Sequence, residues 1–263
     1  MFDSLWISAS GLSAQQLGID TIANNISNIN TAGFKKSSVG FQDLWYQEAL
    51  PDNTSLPGLP LTSTTLWVGT GTNAAISQKN FSQGVMEDTK NPYDVAIEGK
   101  GFFRVKCADG SYAYTRDGAF NRVAGAGDLV TSSGYLLDPD VNIPDGATDV
   151  GISREGKITA TLAGQDAPTE LGQVKLYKFV NPAGLSAVGE NLFTETAASG
   201  EAVEGTPGSQ GFGLLAQGYL ERSNVDIVEE MANLITAQRA YELNSRAVRN
   251  ADEMLAIANG IRG

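Results

Sequence analysis

Apolar residues recur every seven positions at both ends of this chain. Leu5, Leu12, Ile19 and Ile26 form one series, joined by Ile22 and Ile29 three residues on; Ile227, Leu234, Tyr241, Val248 and Leu255 form the other, widened by Met231, Ile235, Ala240, Ala247 and Met254. A period of seven belongs to a helix whose apolar seam faces another helix. The spacing predicts a helix over about residues 4–30, stopped by a left-handed Gly33, and a second from about residue 223, with Ser223 and Asp226 as its capping box. At 1.5 Å per residue they would be roughly 40 and 50 Å long.

The first helix has almost no solvated face, since Asp20 is the only charged residue between Ser4 and Phe34. A helix so poor in charge expects protein on several sides, which points to ends that become ordered when neighbouring subunits cover them. It closes in "IANNISNINTAGFKK", where Asn24, Asn25, Asn28 and Asn30 cluster with Ser27. Amides can bond across repeating helix interfaces without setting like charges against each other. A polar helix end and loop accounts for the same residues.

Between the ends the texture changes. Short alternating segments such as "DVAIEG", "GFFRVK", "YAYTR", "KITATLA" and "QVKLYKFV" are separated by turn signals "ADGS", "RDGAF", "SSGY" and "IPDG". This predicts a small all-β domain over about residues 91–196. Residues 46–66 carry Pro51, Pro57 and Pro60, two acids and no basic residue, the composition of a loop or extended arm rather than a helix. A glycine-rich stretch, "ASGEAVEGTPGSQGFG", reads as the connector back to the final helix.

The composition excludes several functions. A net charge of -12 gives phosphate-backbone binding no electrostatic footprint and argues against nucleic acid and a polybasic membrane surface. With no histidine, Ser-His-Asp and Cys-His catalysis and histidine metal sites are absent. "GTGTNA" and "GFGLLA" fit a loose GxGxxA outside any βαβ context and read as turns. "DPDVNIPDGATD" lacks the glycine and glutamate of a calcium loop. Asp109, Asp117, Asp128 and Asp138 read as surface-turn residues, and Cys107, the only cysteine, as a strand residue. No catalytic, cofactor or metal site is expected. No lysine or arginine precedes Lys35 and no apolar run approaches the roughly 20 residues that span a bilayer. The expectation is no signal peptide, no membrane insertion, and an export route that reads neither.

"SLWISASGLSAQQLGIDTIANNISNINTAGFKK" resembles the N-terminal signature of the bacterial flagellar rod and hook axial proteins, carried by Ala23, Asn24, Asn25, Asn28, Thr31, Gly33, Phe34 and Lys35. "GYLERSNVDIVEEMANLITAQRAYELNSRAVRNADEML" is similar to the family's C-terminal end, and "IEGKGFFRV", "YTRDGAF" and "GDLVTSSGYLLDP" to its central β motifs. "SLW", "QRAYELNSR" and the proline segment after "FQDLWYQ" favour the distal-rod branch. The resemblance implies an α+β fold: an inner coiled coil of residues 1–33 and 223–263, an extended linker 34–90 with a rod-specific segment 46–66, a β domain 91–196 and a return connector 197–222. It implies a helical homopolymer in the periplasm that meets proximal rod proteins, the hook protein and surrounding ring proteins, and is exported by the flagellar type III apparatus. The expected assembly interface is Leu5, Leu12, Ile19, Ile22, Asn24, Asn25, Ile26, Asn28, Ile29, Ile227, Met231, Leu234, Ile235, Tyr241, Val248 and Leu255. A proximal-rod or hook paralogue, an enzyme on a β core and a secreted adhesin remain alternatives.

Overall fold

The computed structural model describes residues 2–49, 66–125, 127–162, 167–209 and 211–260. Two long helices, α1 (Phe2–Ser27) and α2 (Ile227–Gly260), bracket a strand-rich middle, an α+β arrangement. Gly33 is left-handed as expected, with φ of 68°, but it lies six residues beyond the end of α1 and does not cap it. It permits a close approach instead: a Cβ there would sit 2.6 Å from the Asp117 amide nitrogen. The Ser223 hydroxyl accepts the Val225 amide at 3.3 Å, a local turn that ends before α2 begins.

Contacts divide the chain into two compact units. The first holds residues up to Asn25, Ser37–Gln78, and the chain from Ile227 onward; the second holds Ile26–Lys36 and Lys79–Asp226. In the first unit, strand Ser37–Asp43 pairs with Thr72–Lys79, and Tyr46–Ala49 pairs antiparallel with Leu66–Gly69. The two pairings follow one another along a two-stranded arm, joined by bonds from Leu44 N to Gly71 O and Thr70 N to Trp45 O. The arm lies on α1, where Ser10 Oγ accepts the Thr72 amide and Gly18 leaves room for the Phe41 ring. Residues 46–49 and 66 of the expected rod-specific segment are thus strand rather than loop; Pro51, Pro57 and Pro60 lie outside the described residues.

The second unit is built on a seven-stranded antiparallel sheet in the order Ser186–Gly189, Leu192–Thr194, Tyr112–Thr115, Phe103–Lys106, Leu136–Asp138, Leu129–Thr131, Phe120–Arg122. A three-stranded sheet of Ala147–Ile152, Lys157–Leu162 and Thr169–Gln173 accompanies it. Adjacent strand residues point to opposite faces, so the "GFF" pair serves two cores. Phe103 enters an aliphatic core with Ile97, Ile143, Ile158, Leu176 and Leu215, and Phe102 enters an aromatic one with Tyr114, Tyr177, Phe179 and Phe193.

The strands do not stop at Thr196. Val203–Gly205 pairs with Leu176–Lys178, Leu214–Gln217 with Val95–Glu98, and Tyr219–Glu221 with Met86–Asp88. The stretch read as a return connector closes the β unit because its alternating positions, such as Leu215, complete the core. Cys107 follows strand Phe103–Lys106 in a turn, half-buried against Val105, Ala113 and Leu192. Asp109 and Asp117 accept amides two residues on, as turn acids do. Asp138 instead ion-pairs with Arg104, whose guanidinium lies 4.5 Å from the Tyr112 ring centroid and 4.2 Å from that of Tyr177.

Candidate functional site

Three of the quoted motifs meet at one buried carboxylate in the second unit. Glu221, from "GYLERS", ends a strand; one of its oxygens takes the Lys35 ammonium at 2.6 Å and the Gly84 amide at 2.8 Å. Its other oxygen takes Arg116, from "YTRDGAF", at 3.2 Å. Lys35 also donates to the Ser82 carbonyl and Arg116 to the Gly99 carbonyl, both at 2.7 Å. The Arg116 Nε atom is buried without a partner among the described residues. Two cations thus share one anion in a site closed to water, where charge is costly unless paired. Burial pulls the Lys35 ammonium below the ordinary lysine range against the pull of Glu221, and pulls Arg116 down likewise.

The cluster ties the start of the chain to its end. The Gly33 amide donates to the Glu221 carbonyl at 2.7 Å, the Lys36 amide to Asn224 Oδ1 at 2.8 Å, and Asn191 to the Ala32 carbonyl at 3.0 Å. A lysine after a glycine turn reads as a surface charge. The available signal was its place at the end of a segment otherwise almost free of charge.

In the first unit the asparagine run finds a use within the chain. Asn25, 1% exposed, takes the Ser37 amide on Oδ1 at 2.9 Å and gives Nδ2 to the Ser37 carbonyl at 2.8 Å, so its side chain pairs with a strand backbone. The same Nδ2 lies 3.2 Å from the buried Glu230 of α2. In the second unit, Asn28 accepts from Thr31 and Asn30 from Arg222. Asn25, Asn28 and Asn30 thus make bonds inside this subunit, Asn25 to the Ser37 backbone and Asn28 and Asn30 to the side chains of Thr31 and Arg222.

Asn25 meets Glu230 while Gly11, fourteen residues earlier, lies against Asn244, fourteen residues later. The two helices therefore run antiparallel over this span. On α2, the residues with little exposure follow alternating steps of four and three: Glu230, Leu234, Ala237, Asn244, Val248, Ala251 and Leu255, with Tyr241 completing the series at a more exposed position. Leu234, Tyr241, Val248 and Leu255 belong to the seam read from the sequence, but Glu230, Ala237, Asn244 and Ala251 do not, and it is Glu230 and Asn244 that meet α1. Leu5, Leu12, Ile19, Ile22, Ile26 and Ile29 are partly buried, and Asn24 is exposed. Ile227, Met231 and Ile235, expected on the same interface, are exposed.

Met231, Ile235, Leu243, Met254 and Ile257 are exposed on α2, interleaved with exposed Arg239, Glu242, Arg246, Arg249 and Glu253. At 3.6 residues per turn they fall within an arc of about 140°, opposite the buried Ala237. Trp6, Ser10, Ala14 and Leu17 of α1, with Leu44, Thr72 and Asn73 of the arm, line an open groove of about 490 Å³. Trp6, Trp45 and Trp67 are 68%, 75% and 60% exposed. Among the described residues no His, Cys, Asp and Glu side chains group as a metal site would, and no helix is long and apolar enough to cross a membrane.

Three family descriptions match the chain: "Flagella basal body rod protein" over residues 5–35, "Flagellar hook protein FlgE/F/G D1 domain" over 96–160, and "Flagellar basal body rod FlgEFG protein C-terminal" over 216–261. The chain is 48% identical over 269 residues to the flagellar basal-body rod protein FlgG of Borreliella burgdorferi, covering 100% of this chain and 99% of that one. It is 45% identical to FlgG of Caulobacter vibrioides over 98% of this chain and 99% of that one. FlgG of Bacillus subtilis is 36% identical over 97% of each.

Proposed function

The chain belongs to the FlgG family of flagellar basal-body rod proteins, structural components of the distal rod and not enzymes, and on that premise we propose that it polymerises helically into a straight, hollow shaft. The shaft passes motor torque to the hook and encloses the export channel. The observation that carries the reading is a match running from end to end of the chain rather than over one domain.

In this reading residues 1–33 and 223–263 form the inner coiled coil, and the β domain lies outside. The antiparallel run of α1 against α2 and the alternating four-and-three seam support the coiled coil. Leu5, Leu12, Ile19, Ile22, Ile26 and Ile29 with the exposed Ile227, Met231 and Ile235 supply contacts between subunits. The protein partners itself, proximal rod proteins below, the hook protein above and surrounding ring proteins, and reaches the periplasm through the flagellar type III apparatus without a cleaved signal peptide. Residues 46–66 stiffen the shaft by bridging neighbours.

Electron microscopy of the purified chain after assembly tests this directly. Straight hollow polymers are expected, and a chain that remains monomeric under every condition of concentration and salt would exclude the reading. Deleting Ser55–Leu66 should bend the polymers; shafts as straight as the parent's would return that segment to the status of a linker.

A further inference from the structure

Asn25 and Glu230, 1% and 4% exposed, are the only polar side chains buried on either long helix among the described residues, and we propose that this pair sets the register in which α1 and α2 run against each other. The pair acts within one chain, so it holds whether or not copies assemble.

The rest of the contact line discriminates poorly between registers. The other buried residues of the two helices, among those described, are Ala14, Ala237 and Ala251. Gly11, Gly18 and Asn25 recur every seven residues on α1, and Glu230, Ala237, Asn244 and Ala251 do so on α2. With Asn25 at Glu230 and Gly11 at Asn244, Gly18 and Ala237 share the level between. A slip of seven residues, roughly 10 Å along the axis, sets Asn25 at Ala237, Gly18 at Asn244 and Gly11 at Ala251. The opposite slip sets Gly18 at Glu230 and Gly11 at Ala237. A glycine or an alanine stands at every one of these slipped levels, so crowding opposes neither.

Hydrogen bonding does choose. Ser37 fixes Asn25 first, its amide donating to Oδ1 at 2.9 Å and its carbonyl accepting from Nδ2 at 2.8 Å. An amide nitrogen carries two protons, and Glu230 Oε2 takes the second at 3.2 Å. In one slipped register that proton faces Ala237; in the other it lies beyond the start of α2. Sliding therefore parts two buried polar groups, the loss by which a single buried polar pair rejects misaligned helices.

Disulfide reporters read the register in the full chain, with Cys107→Ser removing the native thiol. Gly11→Cys with Asn244→Cys reports the observed pairing. Gly11→Cys with Ala251→Cys, and Gly11→Cys with Ala237→Cys, report slips of seven residues in either direction, and Asn244→Ala in these two keeps the space beside position 11 alike. Under oxidising conditions the first reporter should close at least about tenfold faster than the other two, the worth of one hydrogen bond to a charged group. Glu230→Ala makes position 230 the same as 237, and the reporter at 11 and 251 should then close at a rate comparable to the first. Glu230→Gln keeps an acceptor for Asn25 Nδ2 and should keep the original preference. The register role is overturned if Glu230→Ala still closes only the pair at 11 and 244, or if Glu230→Gln slips as far as the alanine variant. Loss of all three cross-links in Glu230→Ala overturns it too, since the pair would then supply stability without choosing a register.

Discussion

Lys35 and Glu221, 186 residues apart, meet at 2.6 Å with neither side chain exposed to water. Because Arg116 shares the carboxylate, the two partners are not equivalent. Lys35→Met leaves a neutral Arg116–Glu221 pair, whereas Glu221→Gln leaves two buried cations with no counter-charge. Breaking a buried pair costs about 3–5 kcal/mol. Urea unfolding should place Glu221→Gln at or above that range and Lys35→Met below it; equal losses would show that the cluster acts as independent pairs.

Gly33 and Gly110 separate backbone strain from collision. Both are left-handed, but a Cβ at Gly110 meets nothing within 4 Å while one at Gly33 meets the Asp117 backbone at 2.6 Å. Gly110→Ala should cost about 1–2 kcal/mol from conformation alone. Gly33→Ala should cost clearly more, and lose the bond to the Glu221 carbonyl. Denaturation midpoints of the two variants check the difference.

Gly11 holds α1 against α2. A Cβ there would lie 3.0 Å from the Asn244 amide nitrogen, the end of a flexible side chain. Gly11→Ala should therefore be tolerated, and Gly11→Leu should part the helices. The expected readout is loss of polymer formation by Gly11→Leu with an unchanged β unit in circular dichroism.

Asp117 gives the β unit a pH dependence. Burial raises its carboxyl above the ordinary value of 3.8, opposed by the Ala119 amide, with the Asp94 charge raising it further. A raised acid binds its proton more tightly folded than unfolded, so its contribution to stability is full at low pH and lost as pH rises through the folded value. Asp117→Asn, which keeps an acceptor for Ala119, should stabilise the protein at neutral pH and make no difference in acid. Urea titrations of both proteins at several pH values test this; a constant offset would assign the effect to packing.

The helices were legible in the sequence because period seven survives in any environment. What the period could not say was which side of α2 faces inward. Leu234, Val248 and Leu255 are partly buried, whereas Met231 and Ile235 are exposed. A helix apolar on two sides satisfies both assignments. Asn25 was legible as a buried amide, but its partner is the backbone of Ser37, and backbone partners leave no mark in side-chain patterns. The Lys35 cluster was illegible for another reason. Alternation in "GYLERS" puts Glu221 on the same side as exposed Tyr219, and only the distant arrival of Lys35 and Arg116 makes its burial tolerable.

The positions of the tryptophans make the first unit optically distinct. Trp6, Trp45 and Trp67 are all the tryptophans in the chain, they lie on α1 and the arm, and each is more than half exposed. Indole emission excited apart from the tyrosines therefore reports on this unit directly, while the β unit has no indole of its own. Water around three exposed rings sets a red emission in the separate subunit. Covering them with a neighbour should shift that emission to the blue without any dye or label, so the growth of a polymer can be timed by its own colour.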